Sequence, residues 1–215
     1  MSPQESDRFS SPSEVGHLPP SSNQIGVHFV RHVLIALLLC FAVTAQLAAQ
    51  SYEEDKKKAD SELAQGNFSS AISSFQKLLS NHPQRPEIYN ALGFAYYLNG
   101  EFDQAIQTFE TALNKIPNDD SAKRNLILAG GRRALESSYR EGVERIQNLK
   151  IRFPGHPQLV VLDFYSGKLH YLYGFAKPAF DAWSKVAALR PDSGTAKFLK
   201  AVAARDNQDL SLIHI

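Results

Sequence analysis

The sequence contains little of the chemistry that most catalytic and metal sites require. Cys40 is the single cysteine among 215 residues, which excludes an intrachain disulfide and a zinc site built from several cysteines. The seven histidines are dispersed, and none forms the H-E-x-x-H pattern that places two zinc ligands on one helical face. A P-loop, a dinucleotide-binding glycine pattern and a G-x-S-x-G elbow are absent. We therefore expect no catalysis, no metal and no cofactor.

A strong charge of one sign is also missing. The chain has 23 Lys and Arg against 22 Asp and Glu, and its 43% hydrophobic content is enough for a core. Between residues 121 and 153, basic residues outnumber acidic ones. Because no nucleic-acid-binding module accompanies this stretch, we expect a solvated face or a surface for an acidic partner, and no nucleic-acid binding.

The N-terminal part contains the one long hydrophobic run, VLIALLLCFAV at residues 33–43. Arg31 and His32 precede it and small residues follow it, which is the order of a secretory signal. The run is shorter than the roughly 20 residues that span a bilayer. We expect a signal peptide over residues 27–50, and an exported protein that is periplasmic or secreted. The alternative is a signal anchor retained at residues 33–49.

Both ends of the chain differ in composition from its middle. Residues 1–26 are rich in Ser and Pro, so we expect a disordered leader, with a start near Val27 as the alternative. The final LSLIHI breaks the helical pattern and resembles a translated sequencing adapter. We expect residues 208–215 to be a non-native or disordered tail, with the natural chain continuing past about residue 207; the alternative is a short native apolar tail.

Residues 86–117 carry a register of small and large side chains that is typical of paired helices. Gly93 and Ala105 are small where two helix backbones would approach, and Tyr96 and Phe109 fill the space beside them. The other diagnostic positions are Tyr89, Leu92, Gly100, Ala112 and Pro117. The segment resembles the tetratricopeptide repeat family. This resemblance implies an all-α fold, a right-handed superhelical solenoid of antiparallel helix pairs.

The neighbouring segments repeat this register across residues 51–207. A shift of 34 residues aligns Phe75 with Phe109, and Trp183 takes the same position in a fourth repeat. About four repeats and a C-terminal helix result. Their expected bounds are 52–85, 86–119, 120–156, 157–193 and 194–207.

The third repeat is degenerate. Its second helix regains the register only if about three extra residues precede it, which makes Gly142 the small residue and Ile146 the bulky one. Gly130 and Gly131 lower helix propensity by roughly 1 kcal/mol each relative to alanine. This repeat is therefore expected to be the least regular of the four.

Charged residues indicate several helix ends. The carboxylates at 53–55 and 119–120 are expected at helix starts, where they favour the positive end of the helix dipole. His82 and His156 fall at turns after predicted helices, where a cationic ring is favourable. These roles account for the residues without a functional site.

The resemblance also implies a site, because the first helices of such repeats line a concave groove that accepts a peptide or a helix. The positions that carry over are Lys56, Asn90, Phe94, Tyr97, Arg124, Phe164, Lys168 and Tyr171. Aromatic and basic anchors favour a partner with apolar and acidic residues. Alternatively, the four aromatic side chains pack between neighbouring helices. Lys56 and Asn90 resemble part of a carboxylate clamp, but Asp60 stands where that clamp has Asn.

Taken with the signal, this resemblance implies a bacterial-type exported scaffold that holds a protein or peptide partner. The alternative is a docking arm of an exported peptidase or cell-wall hydrolase whose catalytic domain lies further along the chain. The sequence indicates neither the partner's identity nor the oligomeric state.

Overall fold

The structure is a computed structural model that describes the backbone of residues 22–206 and the side chains of residues 31–47 and 49–205. The expected leader up to residue 21 and the expected tail at 208–215 lie outside the described residues. The described chain forms nine helices: α1 Ser22–Ala64, α2 Phe68–Asn81, α3 Pro86–Leu98, α4 Phe102–Lys115, α5 Asp120–Leu135, α6 Tyr139–Arg152, α7 Leu159–Leu172, α8 Ala176–Leu189 and α9 Gly194–Asp206. The chain divides into two compact units, Met1–Ser51 and Tyr52–Ile215, and the boundary falls within α1.

The described part of the first unit belongs to α1. Its apolar side chains are exposed, with Leu38 at 68% and Phe41 at 74% of full accessibility. The stretch Arg31–Ala64 is the one candidate membrane span among the described residues, by length and composition, and a signal sequence near an N-terminus meets the same criterion.

Helix α1 continues without a break to Ala64. The expectation that the carboxylates at 53–55 begin a helix is therefore wrong, since they lie inside α1. The physical reason is that residues 44–64 contain many Ala, Gln, Glu and Lys residues and neither Gly nor Pro, so nothing locally ends the helix.

The second unit is a solenoid of antiparallel helix pairs. In three of the pairs the turn between the helices contains a glycine in the left-handed region, namely Gly66, Gly100 and Gly174, with φ of 78°, 84° and 81°. A side chain is strained in this conformation, so glycine is favoured there. The 34-residue interval between Gly66 and Gly100 shows the repeat directly.

In the second and fourth pairs, the two helices approach through a glycine and a large aromatic ring. A Cβ atom at Gly93 would lie 2.7 Å from Phe109, and one at Gly167 would overlap Trp183. Phe75, Phe109 and Trp183 are at most 1% exposed. The expected equivalence of these three aromatic positions is confirmed.

The third pair has the three extra residues that its sequence predicts. Helix α5 has 16 residues, whereas α3 has 13. The extra length displaces the second helix in the register, so that Gly142 packs against the backbone of Ala134 and Ile146 is 3% exposed. Asp119 caps α5 by accepting hydrogen bonds from Ser121 N at 2.9 Å and Ala122 N at 3.2 Å, as its place at a helix start predicts.

Candidate functional site

The predicted partner-binding residues fall on α1, α3, α5 and α7, and we call them together the inner surface. Two helices of this surface are joined by a polar contact, because the Asn125 amide donates to Asn90 Oδ1 at 3.0 Å. Asn90 is therefore half-buried and engaged within the protein. Its side-chain oxygen is occupied by this hydrogen bond, so Asn90 offers the surface its side-chain N–H groups.

The aromatic residues of α3 form a stack. Phe94 and Tyr97 lie with ring centroids 6.1 Å apart and nearly parallel planes, and Tyr97 also contacts Phe102 at 5.8 Å. Phe94 and Tyr97 are half-buried and pack against the hydrophobic core. Each ring therefore supports the helix packing and still presents an edge or face to solvent.

Tyr165 belongs to the same cluster, although the sequence pattern did not single it out. Its ring lies on α5 at Gly131, where a Cβ atom would overlap it. Burial raises the pKa of Tyr165 to about 12, the Tyr97 hydroxyl adds to this shift, and Arg132 opposes it. Tyr97 of α3, Arg132 of α5 and Tyr165 of α7 thus meet in one place.

The predicted aromatic residues of α7 are tied to the fourth helix pair. The Trp183 indole donates from Nε1 to the Phe164 carbonyl at 3.1 Å. The Tyr171 ring lies 5.6 Å from the Trp183 ring. Both residues are half-buried, so they combine core packing with partial exposure.

The predicted basic residues differ in their availability. The Lys56 ammonium donates to Asp60 at 2.6 Å, and this hydrogen bond raises the pKa of Lys56. Arg124 and Lys168 are exposed, and within the part of the chain that the structure describes neither has a carboxylate within 4.0 Å. The free positive charge of the inner surface therefore lies on α5 and α7.

Residues 62–127 match the family model described as tetratricopeptide repeat. This segment runs from the end of α1 into α5 and includes the whole of α2, α3 and α4. This segment is a tetratricopeptide repeat region. Its fold supports a protein–protein interaction scaffold as the general class of function.

Two solved structures have a similar fold. MamA 41-end from Desulfovibrio magneticus RS-1 superposes with a TM-score of 0.56 at 14% identity, over 74% of this chain and 87% of that chain. A crystal structure of MamA protein gives a TM-score of 0.55 at 17% identity, over 74% and 84% of the two chains. At sequence identities this low, the structural similarity is evidence for the fold and not for a function. The comparison with curated proteins gives no match.

The described residues contain no metal-ligand cluster, since no three His, Cys, Asp or Glu side chains among them are grouped to hold an ion. The sequence analysis did not identify Tyr165, a buried residue whose ring packs against Gly131 beside the predicted residue Tyr97. The one signal that could have found it is the Gly130-Gly131 pair, because adjacent glycines inside a helix also indicate a close approach from another element.

Proposed function

We propose that this protein is an exported scaffold whose inner surface binds a peptide or helix of a partner protein, with no catalysis by the chain itself. The observation that carries the proposal is that α5 and α7 carry the exposed cations Arg124 and Lys168, while α3 and α7 carry the half-buried rings of Phe94, Tyr97 and Phe164. Aromatic and basic side chains of this kind are the usual anchors of interfaces. The partner segment is expected to carry apolar and acidic residues.

The test separates packing from binding. A Phe94→Ala, Tyr97→Ala double variant should retain its helical circular dichroism spectrum and lose the partners that the wild-type protein retains in a pull-down. A Tyr173→Ala, Phe175→Ala double variant is the matched control, because it removes one Tyr and one Phe that are 49% and 45% exposed outside the inner surface. Equal partner recovery by both variants would refute the inner surface as the binding site.

A second variant avoids the core altogether. Arg124→Glu and Lys168→Glu reverse two exposed charges and leave the aromatic packing intact. The double charge reversal should reduce partner recovery without changing the melting temperature by more than a few degrees. If recovery is unchanged, the partner does not present acidic groups to this surface.

The proposed export is supported by the exposed apolar helix after Arg31 and His32. N-terminal sequencing of the exported protein should give a start just after Ala45 or Ala49 if the signal is cleaved. Carbonate extraction should instead leave the protein in the membrane fraction if residues 33–49 are a retained anchor. Recovery of the intact chain only in the cytosolic fraction would refute export.

A further inference from the structure

A groove runs between α4 and α6, with α5 as its floor. One cavity of about 450 Å³ lies between these three helices, and a second of about 620 Å³ lies at the C-terminal ends of α4 and α6. Arg152 lines both cavities, so they are neighbours, and we call the two together the α4–α6 groove.

The α4–α6 groove is separate from the inner surface. Helix α5 contributes Leu126, Gly130 and Arg133 to it, at spacings of four and three residues that define one helical face. Arg124 is two residues from Leu126, which is about 200° around the helix. The two surfaces therefore use opposite faces of α5.

The floor of the groove is apolar. Ile106, Leu126 and Leu149 line the first cavity, and Leu113 and Phe153 line the second. Gly130 allows the Leu149 side chain to lie flat on α5, since a Cβ atom there would be 2.6 Å from Leu149 Cδ1. These floor residues are largely buried, with Leu126 at 1% and Leu149 at 8% exposure, so a bound segment would contact only their exposed edges.

Two ion pairs fix the walls. Arg133 on α5 donates from Nε to both carboxylate oxygens of Asp103 on α4, at 2.9 and 3.0 Å. Arg152 on α6 donates to both carboxylate oxygens of Glu110 on α4, at 2.5 and 3.0 Å. These four charges satisfy one another, so they position the helices and leave other charges to face a ligand.

The remaining cations have no such partner. Lys123 and Arg145 line the groove at its two ends, and neither has a carboxylate within 4.0 Å among the residues that the structure describes. In addition, Arg145 Nε is buried and without a hydrogen-bond acceptor in the same part of the chain. A buried N–H group of this kind is costly unless an acceptor forms a hydrogen bond with it.

The acidic residues that line the groove do not meet this need. Glu110 is bound to Arg152, and Glu141 accepts from the Ser138 backbone N at 3.3 Å as part of a capping box. Glu144 is exposed. The second cavity is lined by Lys123, Arg152 and His156 together with apolar and neutral residues, and by no carboxylate.

We propose that the α4–α6 groove is a second docking surface, which binds an acidic segment of a partner protein. Carboxylates of the segment pair with Arg145 and Lys123, and apolar side chains between them lie on the floor formed by Leu126, Leu149 and Phe153. This site goes beyond the inner surface and would let the scaffold hold two segments at once.

The test uses the full chain and a fluorescein-labelled synthetic peptide of alternating Glu and Leu. Fluorescence anisotropy should show saturable binding that is lost when Gln replaces Glu in the peptide. A Lys123→Gln, Arg145→Gln double variant should bind about tenfold more weakly. The matched control Lys177→Gln, Arg190→Gln removes two exposed charges outside both surfaces and should bind within about twofold of wild type. Glu144→Gln should bind more tightly, because it removes a repulsive charge.

Three outcomes would overturn the proposal. The first is the absence of saturable binding by the wild-type chain, and the second is unchanged affinity in the Lys123→Gln, Arg145→Gln variant with a wild-type circular dichroism spectrum. The third is binding of a labelled single-stranded DNA, but not of the peptide, that this variant abolishes, which would assign the groove to nucleic acid. Failure of the inner surface alone would appear as unchanged partner recovery after the Phe94 and Tyr97 changes, and it would be independent of these results.

Discussion

Tyr165 of α7 lies against Gly131 of α5 and fills the space that a side chain there would occupy. The contact lets α7 pack closely on α5 and brings the Tyr165 ring to Tyr97 of α3. A residue with no side chain thus determines how three inner helices meet.

The first prediction concerns this contact. Gly131→Ala should destabilise the protein by about 1–3 kcal/mol, because the added methyl group overlaps Tyr165 and lies 3.1 Å from Leu162. In an open helix the same change would stabilise by roughly 1 kcal/mol. Urea denaturation followed by circular dichroism measures the difference. Gly194→Ala is the matched control, since nothing lies within 4 Å of its Cβ position; a stabilising effect at Gly131 would contradict the packing described.

The second prediction concerns the single tryptophan. Trp183→Phe should cost about 1–3 kcal/mol, because it removes the hydrogen bond from the indole to the Phe164 carbonyl and leaves a gap where the larger buried ring packed. Thermal unfolding followed by circular dichroism gives the change. An equal cost for Trp183→Phe and for the exposed change Phe198→Leu would show that the indole donor contributes nothing specific.

The third prediction concerns acidification. Burial lowers the pKa of His170 below its usual value of 6.5, so the unfolded chain takes up a proton more readily than the folded one. The stability due to neutral His170 is complete above pH 6.5 and is lost as the pH falls towards the lowered pKa. Between about pH 7.5 and about pH 5, the wild type should therefore lose more stability than His170→Gln. Parallel pH profiles of the two proteins would rule this out.

The fourth prediction concerns the bidentate pair between α4 and α6. A double-mutant cycle with Glu110→Gln and Arg152→Gln should give a coupling of about 0.2–1 kcal/mol, since both side chains are partly exposed. The coupling should fall in about 1 M NaCl because salt screens the charges. A coupling that does not respond to salt would mean that the contact is mainly steric.

Much of the fold could be predicted because its determinants are local. The glycine turns at Gly66 and Gly100, and the large rings at Phe75, Phe109 and Trp183, recur at intervals that can be counted along the chain. Even the displaced register around Gly142 was predictable, since three extra residues move every later position together. The end of a helix was less predictable: nothing in residues 44–64 distinguishes a start at Tyr52 from a helix that simply continues.

The candidate sites were harder to predict. The resemblance placed Phe94 and Tyr97 on α3, but whether a ring packs or binds depends on neighbours that are distant in sequence. The α4–α6 groove has no sequence signature, because its lining combines Ile106, Leu126 and Leu149 from three helices. Gly131 shows the same limitation, since propensity describes its cost to its own helix and not its contact with Tyr165.

The longer α5 also bears on how such an array can change over time. Three additional residues turn a helix by about 300°, so the segment that follows leaves α5 in a different direction than the one that follows α3. Neighbouring copies of this kind are no longer interchangeable, and recombination that deleted or duplicated residues 120–156 would join surfaces that do not match. The third pair therefore keeps its position in the array, whereas pairs that share one register can be gained or lost.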